Sequence, residues 1–108
     1  MSDVLGEFEQ LVMLTVLRLD DGAYTGAVRQ ELLERAGRDV SPGAVFTTLE
    51  RLESRGLVGS RYGDPTPERG GRAKRYYRLR AEGRRALARS LDMMRRVAEG
   101  LEAKFELS

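Results

Sequence analysis

The sequence contains no cysteine, no histidine and no tryptophan. Without cysteine there is neither a disulfide nor a thiolate metal site, and without histidine the commonest general base and metal ligand near neutral pH is missing. The chain is therefore read as a non-enzyme that takes no cofactor and no metal. Its 108 residues, 41% of them hydrophobic, suit one domain with a modest core and leave no room for a second, catalytic unit. Long apolar runs are also lacking. The most hydrophobic stretch, Leu11 to Leu19, is interrupted by Thr15 and Arg18, and residues 1–10 carry no basic leader. A soluble, cytoplasmic protein with no membrane partner is expected.

What the chain does have is unevenly placed charge. The net charge of +2 conceals three regions: −4 over residues 1–60, +8 over residues 61–96, and −2 over residues 97–108. Of the 19 cations 17 are arginine, whose guanidinium fork suits phosphate and guanine edges, although a GC-rich genome produces the same bias.

Apolar periodicity locates the helices. From about Val4 to Leu19, the residues Leu5, Phe8, Leu11, Val12, Leu14, Val16, Leu17 and Leu19 describe a core helix buried on more than one side. Asp20-Asp21-Gly22 ends it. Thr25 is then expected to cap a second, amphipathic helix with Val28, Leu32, Leu33 and Ala36, stopped by Gly37. Ser41 followed by Pro42 is an N-cap with proline at the first helical position, so a third helix starts there and runs to about Arg55.

On the third helix Val45, Leu49 and Leu52 share one face, while Gly43, Thr47, Glu50 and Ser54 lie opposite, flanked by Ala44 and Arg51. A face so short of bulk can approach a groove closely, and Ser41, Thr47, Thr48 and Arg51 can donate to phosphates or base edges. An ordinary solvated helix face has the same composition, so position in the fold has to decide.

Two strand-like segments follow, Leu57 to Tyr62 and Lys74 to Leu79, on either side of a Gly/Pro-containing tip. Tyr77 and Leu79 share one face of the second strand, Tyr76 and Arg78 the other. Residues 61–80 hold seven Arg/Lys against Asp64 and Glu68, about five net positive charges. The last expected helix runs from Ala81 to about Phe105. Its Leu87, Leu91, Met94, Ala98, Leu101 and Phe105 are spaced 4, 3, 4, 3 and 4, a heptad seam suited to pairing with a second copy.

The order helix, helix, capped helix, basic hairpin, long helix is that of a winged helix-turn-helix, mainly α with a small β-hairpin. Residues 1–80 are read as the DNA-binding domain and residues 81–108 as the dimerisation helix. The chain resembles the PadR family of transcriptional regulators. The resemblance is carried by Tyr24-Thr25-Gly26, by the segment Val40 to Val58 with its Ser41-Pro42-Gly43-Ala44-Val45 start, and by Gly70 to Leu87 with its Tyr76-Tyr77-Arg78-Leu79 core.

This resemblance implies a dimeric repressor of inverted-repeat operators in double-stranded DNA, with the third helix in the major groove and the wing at the flanking minor groove. Position by position, Tyr24, Ser41, Gly43, Ala44, Thr47, Thr48 and Arg51 would face DNA, joined by Arg69, Arg72, Lys74 and Arg75 from the wing. The short, single-helix type is implied as well. Such members pair their last helices and in some cases take a small apolar effector at the dimer centre; Phe8, Leu11, Val12, Met93, Met94 and Val97 could line such a place here, although simple core and interface packing accounts for them more readily. Phe46 stands where tyrosine is usual, and Arg80 where a threonine normally caps the last helix. A winged-helix adaptor that binds protein and no DNA is the alternative from another class; the basic hairpin argues against it.

Overall fold

The computed structural model describes residues 4–64 and 73–106. Helix α1 spans Glu7–Leu19, a short 3₁₀ turn Asp20–Gly22, α2 Thr25–Ala36, α3 Pro42–Ser54, strands β1 Val58–Tyr62 and β2 Arg75–Leu79, and α4 Ala81–Ala98, with a second 3₁₀ turn at Glu102–Phe105. This is the mainly helical winged helix-turn-helix expected from the sequence.

Helix boundaries follow local chemistry. α1 begins at Glu7 and not at Val4, because the Glu9 carboxylate accepts the Gly6 N–H at 2.9 Å and sets the first turn there. Tyr24, not Thr25, takes the N-cap of α2, its carbonyl accepting from Val28 N at 2.9 Å, and no side chain caps this end. At α3 the expectation holds: Ser41 Oγ accepts the Ala44 N–H at 3.0 Å, with Pro42 first in the helix.

One core serves the four helices and the hairpin. α1 contributes Val12, Met13 and Val16, α2 Val28 and Leu32, α3 Val45, Leu49 and Leu52, the hairpin Val58, Tyr77 and Leu79, and α4 Ala86 and Leu87. The strands are antiparallel from Val58↔Leu79 to Tyr62↔Arg75. On its other edge β2 is tied to the helices, Tyr77 N donating to Ala23 O at 2.8 Å. Tyr77 and Leu79 are thereby buried, while Arg78 stays in solvent.

α4 is shorter than its heptad pattern. The backbone reverses at Gly100, whose φ of +85° lies in the left-handed region that glycine adopts at little cost, and Leu101 and Phe105 continue in a 3₁₀ turn. These two residues therefore do not extend a helical seam. Leu87 is not free for a partner either: it is 3% exposed, inside the core of its own chain. Beyond it Leu91, Met93, Met94 and Val97 are exposed. The radius of gyration, 16.0 Å, exceeds the roughly 13 Å of a compact chain of this length, in keeping with a last helix only half covered by its own chain.

Candidate nucleic-acid interface

The outward face of α3 is built as its sequence suggests, with one exception. Ser41, Gly43, Ala44, Thr47 and Arg51 are exposed, and Phe46 is exposed beside them. Thr48 is buried at 5% exposure. It sits one residue before Leu49, on the edge of the packed face, so its hydroxyl does not belong to the outward set. Arg51 lies 4.0 Å from the Glu9 carboxylate, which Arg55 also approaches at 3.3 Å. Its guanidinium is held at the surface by this pairing and remains half exposed.

A second group gathers at the end of the strands away from where they join α3 and α4. The Lys74 ammonium lies 4.1 Å from the Tyr24 ring centroid, Tyr24 meets the Tyr76 ring edge to face at 5.7 Å, and the Arg61 guanidinium lies 5.0 Å over Tyr76. Two cations and two phenol rings thus join the start of α2 to both strands. The structure places Tyr24 and Lys74, both expected at the DNA, in contact with each other. Tyr76 and Arg61, cross-strand partners in the hairpin register, belong to this cluster too.

Arg75 has a different task. It donates to Glu53 at 2.6 Å and to Ser60 Oγ at 3.1 Å, and its guanidinium lies 2.8 Å from Glu50. Burial works against its charge, yet the neighbouring Tyr77, Glu50 and Glu53 outweigh that and raise its pKa. Arg75 therefore fastens the wing to α3 and does not present a free cation, a correction to its expected place among the DNA contacts. Arg69 and Arg72 lie outside the described residues.

The set that could line an effector site is not brought together in one chain. Met93 and Met94 line a groove of about 320 Å³ with Val4, Leu5 and Gln10. Val12 is fully buried in the core, Leu11 borders a separate groove beside Leu14 and Leu32, and Phe8 lies under Arg38 at 5.8 Å. Val97 is exposed beyond them.

Charge pairing separates the arginines. On the helices Arg29 meets Asp39, Arg35 Glu31, Arg38 Glu7, Arg85 Glu82, and both Arg95 and Arg96 meet Asp92. Among the described residues no three histidine, cysteine, aspartate or glutamate side chains are placed to hold a metal, and no helix is long and apolar enough to cross a membrane.

Comparison with known proteins agrees with this geometry. The profile of the Transcriptional regulator PadR-like family matches residues 13–89. A transcriptional regulator of Mycobacterium tuberculosis is 44% identical over 69 residues, 62% of this chain and 59% of the relative, so the matched segment spans well under two thirds of that protein's length. A PadR family transcription regulator from Clostridium difficile superposes with a TM-score of 0.72 at 22% identity, covering 92% of this chain and 99% of the other. One from Eggerthella lenta gives 0.69 at 27%, covering 94% and 88%.

Proposed function

The chain belongs to the transcriptional regulator PadR-like family, whose members are DNA-binding regulators and not enzymes, and from that premise we propose that it is a dimeric, cytoplasmic repressor of an inverted-repeat operator. The observation that carries the reading is α3: a Ser41-capped helix end followed by the small, exposed face of Gly43, Ala44 and Thr47, with Arg51 one turn on. A helix without bulk at its N-terminal end can lie close to a major groove, where side chains read base edges while phosphate contacts supply affinity. Lys74 at the far end of the strands and Tyr24 at the start of α2 add a cation and a phenol hydroxyl to this reading, and Arg69 and Arg72 are proposed to contribute from the wing.

Residues 1–80 form the DNA-binding part in this reading, and residues 81–108 the pairing element. Dimerisation rests on Leu91, Met94 and Ala98 of α4, with Met93, Val97, Leu101 and Phe105 adding apolar surface beside the seam. A small apolar effector would enter the Met93–Met94 groove, completed by the second copy; methionine suits such adaptable sites. Footprinting of the purified protein tests the proposal. Protection of two symmetric half-sites is expected, with Arg51→Ala costing about 1–3 kcal/mol of binding. Leu91→Glu should give monomers that bind far more weakly. A stable Leu91→Glu dimer would remove α4 as the pairing element, and a single asymmetric footprint would remove the dimeric repressor.

A further inference from the structure

Four arginines meet no carboxylate within ion-pair distance among the described residues and lie together. Arg61, Arg78 and Arg80 line a depression of about 280 Å³ on the outer face of the hairpin, floored by Gly59 and walled by Tyr76. Arg84 follows one turn into α4, its N–H bonded to Arg80 O at 3.0 Å, and shares a neighbouring hollow with Arg78. Asp20 borders that second hollow beyond ion-pair distance. The contrast with the paired helical arginines is chemical, since a guanidinium left unpaired among others raises the local positive potential.

Arg80 makes the arrangement costly. It occupies the N-cap of α4 with no side-chain cap, where a hydroxyl or carboxylate would satisfy the helix start and where a cation opposes the helix dipole. Its side chain lies across Gly59, whose missing Cβ would sit 3.8 Å from Arg80 Cγ. An anion bound over this face would offset both the repulsion and the dipole.

We infer that this face, Arg61, Arg78, Arg80 and Arg84 on the hairpin's outer side, is a second phosphate-binding surface that holds the duplex backbone flanking the segment read by α3. The inference rests on the proposed DNA-binding function and deepens it. These contacts go to phosphate, so they add affinity and salt dependence without base preference.

The test uses the full chain and a random-sequence duplex of about 40 base pairs, long enough to include flanks, titrated across a salt series. Arg78→Gln combined with Arg80→Gln should lower the slope of log K against log salt by about 2, since each phosphate contact contributes roughly 0.9. Arg85→Gln, which removes an arginine already paired with Glu82, should leave the slope nearly unchanged. Both positions of the double variant are exposed, and a thermal melt checks that it folds; Arg84→Gln, expected to lower the slope by about 1, is the independent second variant. Wild-type slope in both the double variant and Arg84→Gln overturns the inference while leaving the proposed function standing. Absence of duplex binding by the wild-type chain overturns both.

Discussion

Gly83, third residue of α4, is where the helix touches the hairpin, and replacing it by alanine sets two effects against each other. A Cβ there would stand 3.0 Å from Leu57 C and 2.1 Å from Leu57 O, the latter more than 1 Å inside the roughly 3.5 Å of van der Waals contact. Helix propensity alone favours alanine by about 1 kcal/mol. The clash cannot be relieved by a rotamer, because the obstacle is backbone: the same Leu57 carbonyl accepts Arg80 N at 2.9 Å. α4 would have to back away, loosening that bond and the packing of Ala86 and Leu87, at an overpacking cost of about 1–3 kcal/mol or more. Sterics should win, and Gly83→Ala should melt at least about 5 °C below the wild type by circular dichroism. Gly43→Ala in α3 is the matched control, since its Cβ would meet nothing nearer than Ser41 Oγ at 4.0 Å; it should be as stable as wild type or more so. A Gly83→Ala protein melting at or above the wild-type temperature would refute the reasoning.

Gly43→Ala should nevertheless weaken duplex binding several-fold in a titration, because the added methyl stands on the face proposed to enter the groove; unchanged affinity would count against close approach there. Arg75→Met and Glu53→Gln should be non-additive in chemical denaturation, with a coupling of about 1 kcal/mol between these half-buried partners, and strict additivity would contradict the fastening role. Burial pushes the Tyr77 phenol above its ordinary range, partly opposed by Arg75. The folded state therefore holds that proton more tightly than the unfolded chain. Stability from this group is complete below the unfolded value near pH 10 and is lost as pH rises through the folded one, at up to about 1.4 kcal/mol per pH unit. Tyr77→Phe should flatten that alkaline decline in a series of melts, and an unaltered decline would show that other groups cause it.

The parts of the fold that were legible in the sequence are those set by local chemistry. Ser41-Pro42 marks the start of α3 because cap and proline act within one turn, and the alternation of Tyr76, Tyr77, Arg78 and Leu79 marks the faces of β2. Less legible was anything decided by distant neighbours. Arg75 and Glu53 are 22 residues apart, so composition counted a free cation where the fold makes an ion pair. A heptad period cannot separate Leu87, which packs in its own core, from Leu91, which does not. Gly100 falls between Ala98 and Leu101 and leaves the heptad spacing regular, although a glycine near a helix end is itself a stop signal. Thr48 lies next to the packed stripe, where small deviations in helix phase decide burial.

In the proposed function two copies of this chain read a duplex with α3. Selection of bound sequences from a random duplex library with the purified protein measures it most directly. An enriched inverted repeat is expected, with half-sites about 10 base pairs apart or a multiple of that, since paired α3 helices must meet successive major grooves on one side of the DNA. Enrichment of a single, asymmetric site, or of none, would contradict it.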